Sequence, residues 1–270
     1  MRAVRKRHYA VVDPTLKVER RLWRDGLTRI VGIDECGVAA LSGPVVACAL
    51  YMPQNCRRIP GVRDSKMLSR AERERLAALI CAKAVRVGIG AASAREIERL
   101  NILRATHLAM KRALERVGGC DHSLIDGLPI RDVDMGPNTC IVRGDATAYS
   151  IAAASIVGKV CRDRLMAKLA LRYPGYGWEQ NAGYPTRDHR EAIHRLGITP
   201  HHRRSFGTVR MLSQLTLDFG PEAEFAAVAA DSASIALLAA DSLPADSLPD
   251  EALLDEALLD DAARLQSATA

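Results

Sequence analysis

No two of the seven cysteines are spaced as a CxxC pair, and their number is odd. That argues against a zinc ribbon or a disulfide framework and for reduced thiols, several of them inside apolar runs. Aromatic residues make up only 4% of the 270-residue chain. No apolar run approaches the roughly 20 residues that span a bilayer. The start, MRAVRKRHYAVVDPTLKVERRLWRDG, is basic but has neither an apolar h-region nor a small-residue cleavage site, so a soluble, cytoplasmic chain is expected. Acidic charge is scarce in the body and concentrated at the end. From Leu217 onward there are twelve Asp or Glu and one Arg, a net −11, while the remainder carries 37 Lys or Arg against 20 acids, a net +17. A body this basic suits a polyanionic partner, nucleic acid first.

The stretch that organises the chain is RIVGIDECGVAALSGPVVACALYM, residues 29–52. Two apolar β-rich runs flank a small-residue turn, which predicts a hairpin with largely buried strands. Asp34 and Glu35 stand together at the exit of the first strand, with Gly37 behind them. An ionised carboxylate beside buried strand costs several kcal/mol unless a cation compensates it. Because adjacent strand residues point to opposite faces, Asp34 is expected to point inward and Glu35 to reach the same region through a local turn. The pair is equally compatible, on these residues alone, with a solvated loop tip.

Upstream, Thr15 to Trp23 reads as a short amphipathic helix within a basic segment 1–27. Downstream, Ser69 and Glu72 form a capping box for a helix, followed by a strand in VRVGIGAAS. Helical patterns run from Ser93 or Ala94 and over Ile102–Val117, stopped by Gly118-Gly119. SLIDGLPI is a short strand ending in Asp126, and NTCIVRGDATAYS is a third strand-like run that places Asp145 after Gly144. A long helix, SIAAASIVGKVCRDRLMAKLALRY, then presents a small face; Asp163 on it suits ion pairing with Arg162 or Arg164 better than ligation, and Ser155 suits close packing on the sheet. Tyr176, Trp178 and Tyr184 sit in Gly-rich loops among basic residues, as stacking on sugars or bases requires, although Trp178 and Phe206 suit core anchors better. Beyond 213 the repeats ADSLPADSLP and DEALLDEALLD predict an acidic, disordered appendage over 214–270. If that tail folds back on the basic body as a nucleic-acid mimic, its removal tightens nucleic-acid binding at low salt.

Asp34, Glu35, Asp126 and Asp145 form an oxygen-only set of the kind hard divalent cations prefer. Two such ions can drive in-line attack on a phosphodiester. With a basic body, the set points to a nuclease or another phosphoryl-transfer enzyme.

From about Leu16 to Val209 the sequence resembles bacterial ribonuclease HII, the type 2 ribonuclease H family. The resemblance rests on GIDECG with SGPVVA, DSKMLS, LIDG, GDATAYSIAAASIVGKVCRDRLM, YPGYGWEQNAGYPT and HRRSF, in that order. It implies an α/β ribonuclease H-like fold over 28–213, a mixed β-sheet flanked by helices with a C-terminal helical region. It implies that Asp34, Glu35, Asp126 and Asp145 are catalytic and hold Mg²⁺ or Mn²⁺, two ions with substrate bound. It implies that Tyr184 stacks on the sugar at an RNA–DNA junction, that Gly37 contacts substrate, and that Lys66, Lys159 and Arg162 lie near the phosphate backbone. The expected substrates are RNA–DNA hybrids and duplex DNA with embedded ribonucleotides, cut on the 5′ side to leave 3′-hydroxyl and 5′-phosphate ends by a monomer.

The chain departs from the family pattern in three places. Gly37-Val38-Ala39 replaces the usual Gly-Arg-Gly, Thr147 replaces a common Lys, and Asn181-Ala182 replaces a common His-Lys. Each change removes a phosphate or ribose contact while leaving the carboxylates intact. Two other readings therefore stay open: a divergent hybrid-binding paralogue with weak or no cleavage at single ribonucleotides, and another metal-dependent nuclease on the same fold.

Overall fold

The computed structural model describes residues 13–219, with side chains through 214. The basic start at 1–12 and the acidic tail from 220 onward lie outside the described residues, as does the expected folding-back of that tail. The chain begins with α1 (Lys17–Arg24) and enters a sheet of five strands: β1 (Ile30–Cys36), β2 (Val45–Tyr51), β3 (Arg86–Ala92), β4 (His122–Asp126) and β5 (Asn138–Ile141). Their order is β3-β2-β1-β4-β5. The first three are antiparallel neighbours, and β4 and β5 add in parallel. This is the mixed sheet expected from the sequence, with the predicted hairpin as its β1–β2 half.

Period-two alternation assigns each strand residue to a face. On β2, Val46, Cys48 and Leu50 join a core with α2 (Arg70–Lys83) and α5 (Tyr149–Arg172). Val45, Ala47 and Ala49 join a separate core with α4 (Ile102–Val117). Both faces of the central strands are covered, so their sequences read as continuous apolar runs rather than as alternation. Gly32 on β1 permits one of these close approaches. A β-carbon there would meet the backbone carbon of Ser150 at 2.3 Å, so only glycine lets α5 lie against the middle of β1.

Helix boundaries follow local chemistry. The capping box of Ser69 and Glu72 starts α2 as expected, and Ser93 with Glu96 starts α3 (Ala94–Leu100) in the same way. The helical pattern beyond Ser93 is split rather than continuous: Asn101 adopts φ +71° and its side chain caps α4 by accepting from the Arg104 amide. Gly118, left-handed at φ +83°, ends α4. Beyond α5, α6 (Trp178–Asn181), α7 (Arg187–Leu196) and α8 (Gly207–Phe219) form the C-terminal helical part around fully buried Trp178 and Ile193. Trp178 is thus a core anchor. α8 continues to Phe219, past the boundary expected at 213, because SQLTLDF carries no residue that breaks a helix.

The seven cysteines are all free thiols, and burial pushes Cys36 and Cys81 up to about 12 and Cys48 upward as well. Such thiols remain protonated and act as small apolar packing groups.

Candidate active site

Asp34 and Asp126 occupy the same face as α5, since they continue the even-numbered series of Gly32 and Leu124. Glu35 has the opposite phase and would be expected to point away. The parallel pairing of β1 with β4 ends at Ile33↔Ile125, one residue before Asp126 closes β4. Past that register β1 has no β4 partner, which opens a gap at the carboxyl ends of the strands, where α/β sheets place their sites. Carboxylate oxygens of Asp34, Glu35 and Asp126 lie within 4.8 Å of one another there. Glu35 gets there from within the strand, still paired to Ala47, and not through the local turn anticipated from the sequence, which begins only after Cys36.

Asp145 stands at the rim of this cluster. It lies in the short 3-10 turn Gly144–Ala146, beyond the left-handed Arg143 at φ +58°, and is buried. β5 stops at Ile141, so Asp145 is placed by this turn and not by the strand. The turn also holds Asp126, whose Oδ1 accepts from the Gly144 amide at 2.6 Å and which the Asp145 amide supports as well. Lys66 reaches over from a short 3-10 turn (Ser65–Met67) and sets its Nζ 3.4 Å from Asp145 Oδ2. Its own side chain remains 80% exposed, available to a phosphate.

Proton affinities record the crowding. Burial and the charge of Glu35 hold the Asp34 carboxyl well above the usual range, and a hydrogen bond from Ser155 only partly offsets this. Burial and the charge of Asp126 push Glu35 up to about 7. Burial and Asp145 raise Asp126. For Lys66, burial works against the charged form, but the carboxylates of Asp145, Asp64 and Asp34 outweigh it and the ammonium is strengthened. Three carboxyls that each resist ionisation beside one another are what a multivalent cation relieves, and their hard oxygen donors fit Mg²⁺ or Mn²⁺. Asp34, Glu35 and Asp126 are therefore the residues that fit a metal. Among the described residues they form the one such group.

Ser155 and Ser65 extend this arrangement and were not singled out as site residues by the sequence. Their hydroxyls lie 3.0 Å apart on the α5 side of Asp34, linking the turn that carries Lys66 to the helix beneath the site. Serine in an AAAS helical run carries no signal of this kind; the register of α5 against β1 creates the contact.

The loop after β1 is held from below. Arg162 is fully buried and donates from Nε to Pro44, from Nη1 to Ala182 and from Nη2 to Ser42. The expectation that Arg162 lies near the phosphate backbone is thus corrected: three backbone carbonyls engage its guanidinium beneath the loop. Gly37, at φ +90°, makes room for it, since a β-carbon there would fall 2.1 Å from Arg162 Nε. Arg203, also fully buried, holds the Gly43 and Val38 carbonyls. Tyr184 lies beside this loop, its hydroxyl accepting from the Gly37 amide. The ammonium of Lys159 is 5.0 Å and the guanidinium of Arg162 5.3 Å from its ring centre. Lys159 also pairs with Asp163 at 2.5 Å, and Asp163 approaches Arg73 at 3.6 Å rather than Arg162 or Arg164. Val38 is 37% exposed and Thr147 is exposed, whereas Ala182 is buried.

Such a sheet, with one buried and two partly buried carboxylates converging at the ends of its adjacent parallel strands β1 and β4 in a basic body, defines a metal-dependent nuclease of the ribonuclease H-like class. The family model described as Ribonuclease HII matches residues 31–209. A ribonuclease HII of Thermosynechococcus vestitus is 52% identical over 192 residues, covering 71% of this chain and 90% of its own. Another, of Ruegeria pomeroyi, is 50% identical over 204 residues, covering 75% and 86%. Among solved structures, the ribonuclease H2 of Pyrococcus horikoshii OT3 superposes with a TM-score of 0.57 at 25% identity, covering 69% of this chain and 97% of that one. The chain belongs to the ribonuclease HII family, and its activity is endonucleolytic hydrolysis of the RNA strand of RNA–DNA hybrids. No helix among the described residues is long and apolar enough to cross a membrane.

Proposed function

We propose that this chain also cuts duplex DNA on the 5′ side of an embedded ribonucleotide, leaving 3′-hydroxyl and 5′-phosphate ends, with Asp34, Glu35, Asp126 and Asp145 as its catalytic carboxylates. The observation that carries this reading is the convergence of Asp34, Glu35 and Asp126 within 4.8 Å, with Asp145 tied to the same site through the turn that holds Asp126. Those four side chains would hold two Mg²⁺ or Mn²⁺ ions. Divalent ions at such a site supply Lewis-acid stabilisation of the negative charge that develops on the transferring phosphoryl group.

The chain's own groups do the rest. Asp34 stays anchored through Ser155, and Asp126 stays oriented by the Gly144 and Asp145 amides, so neither carboxylate has to reorganise during reaction. Lys66 places a strengthened ammonium beside Asp145, where it meets a backbone phosphate. Tyr184 and the Gly37 amide lie together at the loop edge and meet the ribose at the junction. Lys159 flanks the same ring and adds positive charge behind it.

The departure at Val38-Ala39 weakens junction binding without abolishing it. Arg162 and Arg203 hold the loop through carbonyls of Val38, Ser42, Gly43 and Pro44, contacts that do not involve the side chains of residues 38 and 39. Its backbone can therefore still read a ribose, while the phosphate partner that an arginine would supply is missing. The deciding experiment offers end-labelled duplex DNA with one ribonucleotide, beside an RNA–DNA hybrid, in Mg²⁺ and in Mn²⁺, with Asp34→Asn as control. Cleavage 5′ to the single ribonucleotide, lost in the control, is expected. Cleavage of the hybrid alone would refute junction recognition.

A further inference from the structure

A positively charged concavity lies away from the carboxylates, on α1. Lys17, Arg20 and Arg24 recur at i, i+3 and i+7 and share one helical face. Arg58, from the connection after β2, closes the opposite wall and donates from Nη1 to the Pro14 carbonyl at 3.0 Å. These four exposed cations line a cavity of about 700 Å³ whose lining includes no acidic residue. The acid of this helix, Glu19, is turned inward, where its Oε1 accepts from both the amide and the hydroxyl of Ser150. Trp23 also lines the cavity. Trp23 is 7% exposed, and its indole N–H is buried without a partner among the described residues. With four cations on its wall and no acid, the cavity selects an anion.

The cavity adjoins the active site through the backbone. Thr15, on its wall, donates to the Thr147 carbonyl at 3.0 Å and accepts from the Tyr149 amide at 3.1 Å. Thr147 is two residues past Asp145, so the cavity wall lies within about 13 Å of that carboxylate's backbone, at 3.8 Å per residue step plus one interstrand spacing. A duplex carries one negative charge per about 1.7 Å of its axis, so a duplex engaged at the carboxylates has phosphates at that distance.

We propose that this cavity is a second phosphodiester-binding site, which grips the backbone of the substrate duplex beyond the scissile position and extends the footprint to one side. The proposal rests on the nuclease reading above. It assigns Lys17, Arg20, Arg24 and Arg58 to substrate positioning and leaves the chemistry to the carboxylates.

The test compares the full-length protein with its Lys17→Gln/Arg20→Gln/Arg24→Gln/Arg58→Gln variant on a series of RNA–DNA hybrids. The shortest hybrid covers the carboxylate site alone, and the others are lengthened on one side or the other of the cleavage position. Cleavage efficiency, kcat/KM, is followed from low to moderate salt. For the native protein, lengthening on one side is expected to raise kcat/KM about tenfold and to steepen its salt dependence by about 2–4, near 0.9 per phosphate contact. For the variant both gains vanish, while the shortest hybrid is cut as before. A Lys17→Gln/Arg20→Gln double variant, which keeps the Arg58–Pro14 bond, is expected to lose about half of the added slope. Equal length and salt dependence in native and variant proteins overturns the proposal. So does an equal loss on short and long hybrids, since a remote grip requires length. Failure of the native protein to cut any hybrid would instead strike the nuclease reading itself.

Discussion

Replacing Glu35 with glutamine should make the metal-free protein more stable while destroying its activity. The folded protein raises the Glu35 carboxyl from an ordinary 4.5 to about 7, through burial and the neighbouring charge of Asp126. A carboxyl that binds its proton more tightly when folded stabilises the fold below pH 4.5. That contribution is lost as pH rises through the folded value near 7. At pH 8 the ionised side chain costs the fold roughly 3 kcal/mol, at 1.36 kcal/mol per tenfold change in proton affinity. Glutamine keeps the shape and cannot ionise. Allowing for its imperfect hydrogen bonding, Glu35→Gln should gain about 2 kcal/mol at pH 8, or about 4–8 °C in Tm for a body of this size. Thermal unfolding followed by circular dichroism, in chelator, at pH 4 and at pH 8, measures it. The advantage should appear at pH 8 and shrink towards zero at pH 4, where both side chains are neutral. Adding Mg²⁺ or Mn²⁺ at pH 8 should raise the native Tm more than that of the variant, because an ion stabilises the form it binds. A variant that melts at or below the native protein at pH 8 in chelator would refute the view that mutual repulsion at this site is relieved by a cation.

Gly37→Ala should cost about 2 kcal/mol or more in urea unfolding, because it combines strain at φ +90° with a β-carbon 2.1 Å from Arg162 Nε. Arg162→Met should cost about 3 kcal/mol or more by the same measurement, since it leaves the carbonyls of Ser42, Pro44 and Ala182 without their donor. Arg162→Lys should not rescue it, as a single ammonium cannot replace a planar fork facing three acceptors. Val38→Arg with Ala39→Gly should raise kcat/KM on a single embedded ribonucleotide about tenfold, the worth of roughly one charge-assisted phosphate contact. Val38 is 37% exposed, so the longer side chain has solvent to extend into, and no gain would show that the loop's side chains do not set junction affinity.

Much of the architecture was legible because local rules and the fold agree. Apolar runs with β-branched residues marked β1 and β2, Ser69 and Glu72 marked the start of α2, and Gly118 marked the end of α4. Carboxylates at or just past strand ends marked Asp34, Glu35, Asp126 and Asp145 as one set, and the ordered motifs around them marked the family. Those features are written in neighbouring residues, where spacing and side-chain type carry the information.

What the sequence could not disclose depends on residues far apart in the chain. Glu35 has the wrong strand phase to join Asp34, and it joins only because the pairing of β1 with β4 ends at Ile33. Asp145 takes its place from the turn beyond β5 and its contact with Lys66, 79 residues away. Arg162, which the family resemblance places near the phosphate backbone, is instead enclosed by the loop over residues 37–44. Its guanidinium binds two carbonyls of that loop, those of Ser42 and Pro44, and one at the α6 end, that of Ala182. Sequence determined which groups this protein can use, because chemistry belongs to the residue. Only tertiary structure decided which of them face substrate and which hold the frame, because burial and register are properties of the packed chain.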